Sequence, residues 1–478
     1  MRQIVNMALR NARRYHMDVL GLDLGTSSVK LVLLRDGRVA ERGSERYAEN
    51  APRAWLEAIR RAARGMDLSR VGAIGLSAQV GTYIVNGERV ISWNSPAGAD
   101  ELERLLRRYP RERFMAELSM PHPRLASYPL PRLMYCLEAG MAPDSVCQPK
   151  DYLCRWLTGR LLSDRYSWRG LAGQFGNEYS GYFLGELGLD AKVLPELAEV
   201  TACAGPVLPA RAEELGLPGD AKVYVGMNDF FCALLGMGAV HPGDMFDITG
   251  TSEHLGVISA DVARDTELVS SPFLENAVHY GVTASSGASM DICLSRFDCA
   301  GVEPDSIPAL LDERPPIFLP YVNGERAPVF DPNARGVFFG VSGGCSSRAF
   351  AYSVMEGIVF SLLEIYELLG RPRGRRLLTS GGASRQPVLN RLKADLLGLP
   401  VYTTGETGAS ALGAAIAAAA GSSEHPDLVR EAERVCGAAA AAEPAPHDPR
   451  LDARFGIFKS LYPALREHFK EFMEVQQI

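Results

Sequence analysis

Apolar and polar positions along this chain keep two rhythms, short runs suited to strands and longer stretches suited to helices. Residues 18–24 are a short apolar run that closes on a Gly turn, and 30–35 are a second. Asp36-Gly37 is a two-residue hairpin signal leading into a third strand from Arg38. After this meander the pattern predicts a helix over 53–64 and a strand over 71–76. Residues 101–162, where charges interleave with Leu, Met and Tyr, read as mainly helical. A second cycle opens with a strand at 222–225 and a small-residue helix at 229–237. Strands follow at 245–248 and 254–259, on either side of Thr249-Gly250-Thr251-Ser252. A strand at 376–379 runs into Ser380-Gly381-Gly382-Ala383. Beyond it come a helix at 389–397, a strand at 401–404 and an Ala-rich helix at 409–420. The Ala run 438–442 and Glu443-Pro444-Ala445-Pro446 read as a low-complexity surface connection, and a last helix lies around 464–473.

The two cycles carry a weak internal repeat. Asp23-Leu24-Gly25-Thr26-Ser27 and Asp247-Ile248-Thr249-Gly250-Thr251-Ser252 both place Asp on a strand, then a Gly and hydroxyl turn, then another strand. They begin 224 positions apart in a chain of 478 residues. Two similar α/β lobes, each offering a hairpin to a central cleft, is the economical expectation.

Composition narrows the function classes. At roughly 100–200 residues per domain the length allows two or three domains. With 47% hydrophobic and 22% charged residues, disorder, collagen and coiled coil are excluded. Lys plus Arg number 50 against 57 Asp plus Glu, a net charge of −7, and no basic stripe favours nucleic acid or an anionic membrane. Nine Cys without a CxxC pair read as reduced cytosolic thiols. The longest run of small apolar residues, 409–420, is too short to span a bilayer, so no transmembrane helix is expected. Residues 1–16 carry four Arg, no acid and no apolar h-region, and are expected to be an extension ahead of a core opening near Met17.

The hairpins suggest anion chemistry. A Gly turn can point backbone N–H groups at a phosphate, hydroxyls add donors, and Lys30 is near enough in sequence to add charge. Asp23 could hold Mg²⁺ through water. Ordinary hairpin punctuation explains one such turn well and two less well. No G-x-x-x-x-G-K-[ST] is present, and Gly236-Met237-Gly238 ends a predicted helix instead of opening one, so P-loop and Rossmann readings fail. Asp229, after Gly226-Met227-Asn228, fits equally a first-turn carboxylate and a base at a strand tip. Ser380 to Ala383 suits close approach of a ring or phosphate, or a plain connecting loop. Trp93-Asn94 reads as a sugar-stacking face or as half-buried core.

The ordered set of motifs resembles the FGGY carbohydrate kinases, over about residues 17–469. VLGLDLGTSSVK, IGLSAQVG, ISWNS, PKDYLCRWLTG, VYVGMNDFFCALLGMGAVHPGD and DITGTS appear in the family's order. FLPYVNGERAPVFDPNARGVFFGVS, LLTSGGASRQP, ADLLGLPV and GASALGAAIAAAAG follow. The resemblance implies two RNase H-like lobes of the actin, hexokinase and heat-shock ATPase type: 17–240 on the sugar side and 241–478 on the nucleotide side. It implies Asp229 as the base, Asp23 on the Mg²⁺ side, and Gly25, Thr26, Ser27, Lys30, Gly250, Thr251, Gly381, Gly382, Ala383 and Gln386 near ATP. Gln79, Trp93, Asn94, Asn228 and Asp229 are the expected sugar contacts, with Ser167, Trp168 and Arg169 as further candidates.

Departures lie on the sugar side. Val80 and Gly81 stand where glycerol kinases carry Arg–Glu and xylulokinases Met–His; Ser95 follows Asn94 and Phe230 follows Asp229 where polar residues are usual. Arg132 and Tyr135 replace Lys and Trp of the first family signature. The expectation is a cytoplasmic, ATP- and Mg²⁺-dependent kinase for a ketose or sugar alcohol, with glycerol and D-xylulose poor acceptors. Its partner is a small-molecule sugar, with no nucleic acid and no membrane; a homodimer is left open. The rival is a nucleotide-dependent sugar-sensing or binding protein of the same fold without turnover.

Overall fold

A computed structural model describes residues 17–173, 176–250, 252–263, 266–284, 286–404 and 408–476. The proposed extension, residues 1–16, lies outside them. The chain forms two compact units. The first comprises the described residues up to Gly238 together with Gly408–Cys436; the second comprises those of Ala239–Thr407 and Gly437–Ile478.

In the first unit, β1 (Asp18–Leu24), β2 (Ser28–Arg35) and β3 (Arg38–Arg46) form the expected antiparallel meander, and β4 (Val71–Ala78) pairs parallel with β1. A small sheet of β5 (Tyr83–Val85), β6 (Arg89–Ile91) and β7 (Val146–Cys147), and the pair β8 (Leu162–Ser163) and β9 (Glu196–Leu197), were not legible in the pattern. Helices Ala99–Arg108, Arg111–Leu118, Pro129–Glu138 and Pro149–Thr158 fill the segment read as helical. β10 (Cys203–Pro206) and β11 (Lys222–Asn228) complete the main sheet, ordered β10-β11-β4-β1-β2-β3. Every residue of β1 is buried, which is why it reads as an unbroken apolar run, while the edge strand β3 alternates.

The second unit repeats this plan. β12 (Asp244–Thr249), β13 (Glu253–Ser259), β14 (Val269–Phe273) and β15 (Asn276–Thr283) are antiparallel neighbours; β16 (Ile317–Leu319) and β17 (Val337–Phe339) form a separate pair. β18 (Arg376–Gly381) lies parallel to β12, and β19 (Val401–Thr403) parallel to β18. Thus β15-β13-β12-β18-β19 matches β3-β2-β1-β4-β11 strand for strand.

Two sequence readings change. A single division at 240/241 misses the return of 408–436 to the first unit. Helix Ala409–Gly421 packs on the first sheet because glycines let backbones touch: a Cβ on Gly21 would sit 1.8 Å from the Ala411 carbonyl, and one on Gly75 1.8 Å from that of Ala414. The Ala run is no free connection but an exposed edge strand, β20 (Ala439–Ala442), antiparallel to β19. An edge position asks only for backbone pairing, so no side-chain alternation marked it. Among the described residues one helix, Ser347–Leu368, is long and apolar enough to cross a bilayer. It is the core helix of the second unit, and its buried Glu356 pairs with Arg454 at 2.6 Å.

Candidate functional site

The carboxylates of the first unit come together through strand register. Asp23 on β1 stands opposite Ser77 on β4, whose hydroxyl donates to Asp23 Oδ1 at 2.8 Å. Ser77 in turn stands opposite Met227 on β11, after a register shift between Tyr224 and Met227. Gly226 makes that shift possible: its φ is +68°, and a Cβ there would meet the Leu76 carbonyl at 1.8 Å. Two residues on, Asp229 opens helix Asp229–Met237, with Asn228 as its cap. Asn228 accepts from the Phe231 N–H at 3.2 Å and donates to the Tyr166 carbonyl at 3.0 Å, so it is buried and committed to the scaffold.

Asp229 is only partly buried by its exposed surface, and its Oδ1 accepts the Phe230 N–H at 2.9 Å. Desolvation, then the charge of Asp23, push its carboxyl up to about 7. Burial also raises Asp23, partly offset by the Ser77 hydrogen bond and by Lys30, its cross-strand partner on β2. A carboxylate that ionises near neutrality, at the mouth of a helix and beside a second acid, has the properties of a general base. Among the described residues no three His, Cys, Asp or Glu side chains enclose a metal. Asp23 is a hard oxygen donor of the kind that suits Mg²⁺ retaining much of its water.

The first turn is held from below. Gly25 N–H donates to the Ser28 carbonyl at 3.0 Å, leaving Thr26 and Ser27 exposed. The Tyr47 hydroxyl donates to the Gly25 carbonyl, and the Trp93 indole donates to Thr26 Oγ1 at 3.2 Å. Neither Gly25 nor Gly250 uses positive φ; a Cβ on either would lie 3.3 Å from a carbonyl across its turn. Positive φ falls instead at Gly81, Gly226 and Gly381.

On the expected sugar side the structure separates supports from accessible groups. Gln79 is 3% exposed and its amide is spent within the protein, donating to Asn50 Oδ1 at 2.8 Å and accepting from Thr82 Oγ1 at 3.1 Å. It is a brace under the Gly25 turn. Val80, the next residue, is 40% exposed. Gly81 has φ +81° and donates to Gln148 Oε1 at 2.9 Å. Trp93 is half-buried and Asn94 exposed. Ser167 and Trp168 are buried and serve the 164–170 loop: Ser167 Oγ donates to Asp164 at 2.6 Å, and the Trp168 indole to Asp151 at 3.1 Å. Arg169 is half-buried.

Arg132 was noted in the sequence only as a departure. Its side chain is fully buried, and one Nη2 donates to the carbonyls of Ser92 at 2.9 Å, Trp93 at 3.3 Å and Ser95 at 3.1 Å. It thereby pins the turn that carries Trp93 and Asn94. Among the described residues Nε and Nη1 have no hydrogen-bond partner, and burial lowers the guanidinium from its usual range.

In the second unit the Gly250 and Gly381 turns are knitted by Thr249. Its Oγ1 donates to the Ser380 carbonyl at 2.8 Å and accepts the Ala383 N–H at 3.0 Å. Gly381, at φ +95°, passes so close that a Cβ would sit 1.9 Å from the Thr249 carbonyl. Gly382 is exposed, Ala383 and Gln386 are half-buried, and Gln386 leads into helix Pro387–Leu397. Thr251 lies outside the described residues. Beneath the turns, Lys393 joins Asp247 and Glu253; a Lys within the buried stripe Leu389, Leu392, Ala394 and Leu397 was the sequence signal for it.

Residues 247–422 match the C-terminal domain model of the FGGY family of carbohydrate kinases. A xylulose kinase of Escherichia coli is 30% identical over 451 residues, covering 83% of this chain and 88% of that protein. One from Bacillus subtilis is 28% identical over 498 residues, covering 93% and 96%. Among solved structures, a gluconate kinase from Lactobacillus acidophilus superposes with TM-score 0.81 at 20% identity, over 95% of this chain and 99% of that one. A ligand-bound xylulose kinase from the same organism gives 0.80 at 21% identity, over 95% and 100%. These likenesses carry the two-lobed kinase fold.

Proposed function

The chain belongs to the FGGY family of carbohydrate kinases and is an ATP-dependent sugar kinase, in which we propose that Asp229 is the base that takes the proton from the acceptor hydroxyl. The observation that carries this reading is the placement of Asp229 at a helix start beside Asp23, with its carboxyl pushed up to about 7. As the acceptor oxygen attacks the γ-phosphorus, its proton passes to Asp229, and the bond from phosphorus to the bridging oxygen breaks to release ADP. Mg²⁺ bound with the nucleotide would offset charge on the phosphates, and Asp23 would hold its hydration shell. By resemblance, exposed Thr26 and Ser27, Lys30 on β2 and the Gly250 turn with Thr251 are the groups for the ATP phosphates, and the Gly381–Ala383 turn and Gln386 those for the adenosine.

The acceptor in this reading is a ketose or sugar alcohol in contact with Trp93 and Asn94. Relatives named xylulose kinases favour a ketose. The strand end Val80-Gly81, however, offers no side-chain donor, which makes D-xylulose and glycerol poor choices, because discrimination among polyols comes from paired polar groups. All nine cysteines are free thiols, which agrees with a cytoplasmic site of action.

The test is acceptor-dependent ADP release over a panel of pentuloses, hexuloses, sugar alcohols and glycerol. A kcat above roughly 1 s⁻¹ with one ketose is the expected result. ATP binding without acceptor-dependent turnover across the panel would instead identify a sugar-sensing protein. D-xylulose or glycerol as best acceptor would overturn the pocket argument.

A further inference from the structure

Phosphoryl transfer does not by itself require the charged cluster under the second unit's turns. Lys393, Asp247 and Glu253 are each 0% exposed. Lys393 Nζ lies 2.5 Å from Asp247 Oδ2 and 2.7 Å from Glu253 Oε1. The three groups come from three elements. Asp247 is on β12 just before the hairpin turn, Glu253 is the first residue of β13 just after it, and Lys393 is on the helix that follows the Gly381–Ala383 turn. Thr379 of β18 donates to the same Asp247 oxygen at 2.8 Å, and the Ser286 hydroxyl donates to Glu253 Oε2.

One ammonium therefore staples both strands of the hairpin to the helix behind the neighbouring turn. Burial opposes ionisation of both acids. It prevails at Asp247, where the charge of Glu253 adds to it, and is outweighed at Glu253 by Lys393 and by hydrogen bonds to the carboxylate. The two acids keep Lys393 protonated despite its burial. Such a cluster is weak evidence for net stability, because desolvation offsets attraction. Its better-attested use is to fix registry, and here it joins hairpin, β18 and helix.

We propose that Lys393 is a positioning residue for the nucleotide: by gripping Asp247 and Glu253 it sets the Gly250 hairpin against the Gly381–Ala383 turn as one preformed cradle for ATP. This rests on the reading that these turns hold ATP. Preorganisation of this kind lowers the ordering cost of binding, so its loss shows in nucleotide affinity before anything else.

The experiment uses the full chain with Lys393→Met and with the double variant Glu253→Gln/Lys393→Met. The double variant removes the buried unpaired carboxylate and keeps the test valid where the single one fails to fold. Dissociation constants for MgATP are measured by calorimetry, KM for ATP and for the best acceptor by kinetics, and amide hydrogen exchange across 249–254 and 380–386 without ligand. The expected result is a tenfold or greater rise in both ATP constants, an acceptor KM within twofold, and faster exchange in both turns; melting recovers in the double variant while ATP affinity does not. An ATP dissociation constant within twofold of wild type in a folded variant would overturn the proposal, as would equal rises in both KM values or unchanged exchange. Wild type that binds ATP yet phosphorylates no sugar refutes the proposed reaction and leaves this test standing. Wild type that binds no ATP refutes both.

Discussion

On β1, Asp23 accepts the Ser77 hydroxyl from β4; on β12, Asp247 accepts the Thr379 hydroxyl from β18, in both cases at 2.8 Å. The strands correspond in the two sheets, yet the surroundings differ. Asp23 has Lys30 across the strand pair and Asp229 close enough for their charges to interact. Asp247 has a lysine at 2.5 Å and is sealed. The pairing across the turns differs too, since Leu24 pairs with Val29 while Thr249 pairs with Glu253. The comparison teaches that an acid on the first strand of this sheet is a chemical group or a structural one according to what faces it. In the first unit a second carboxylate raises its neighbour toward neutrality, which is the ground for the proposed base; in the second an ammonium grips the acid together with Glu253.

The largest break of this contrast is Asp229→Asn. Loss of the proton acceptor is expected to lower kcat by about 10²–10⁴-fold in steady-state assays, with the ATP dissociation constant within twofold. Its effect on stability has a definite sign. The folded carboxyl is pushed up to about 7 from its ordinary value of 3.8, so folding favours the protonated form, and that contribution is lost as pH rises from 4 through 7. Melting of Asp229→Asn is therefore expected to match wild type near pH 4 and to exceed it at pH 8. Near-native turnover, or a lower melting temperature at pH 8, would count against the assignment.

Asp23→Asn is expected to act next in size, raising the Mg²⁺ concentration for half-maximal activity by roughly tenfold while acceptor KM stays within twofold; tenfold corresponds to about 1.4 kcal/mol. The same change removes the like charge that helps raise Asp229. The acid limb of kcat/KM, expected near pH 7 in wild type, should then move to lower pH in this variant. A limb that stays in place would show that burial alone sets Asp229. An acceptor KM that rises sharply while Mg²⁺ dependence is unchanged would move Asp23 to the sugar side.

Arg132→Met sharpens the contrast from the sugar side. Charged hydrogen bonds to the 92–95 turn are worth about 1.5–3 kcal/mol each in favourable cases. Their loss is expected to raise acceptor KM about tenfold, leave ATP KM within twofold, and change the fluorescence of Trp93. Arg132→Lys, which keeps one cation beneath the turn, should recover much of the affinity. Equal changes in both KM values would reduce Arg132 to a folding residue. The smallest effect is expected from Gln386→Ala, a rise in ATP KM of about threefold, since its expected contact is one half-buried, uncharged amide.

Much of this was present in the amino-acid order. The apolar runs located β1, β4 and β11, and Asp36-Gly37 located the β2–β3 hairpin, because burial on both faces and a left-handed turn residue are local demands. The repeated Asp and Gly-hydroxyl turn announced two similar sheets. Asp229, Asp23 and the Gly381 turn could be named as chemical candidates because strand ends followed by Gly or a capping acid are visible one residue at a time.

What only tertiary structure decided is pairing across distance. That Ser77 meets Asp23, that Lys393 meets Asp247 and Glu253, and that helix Ala409–Gly421 returns to the first unit depend on segments separated by tens to hundreds of positions. Gln79 and Trp168 look like sugar ligands in a string, but burial turned both into supports with every polar group committed. Sequence sets which groups a position can offer. Desolvation and the nearest charge, which exist only once strands are in register, set whether that group is a base, a brace or one end of a buried ion pair.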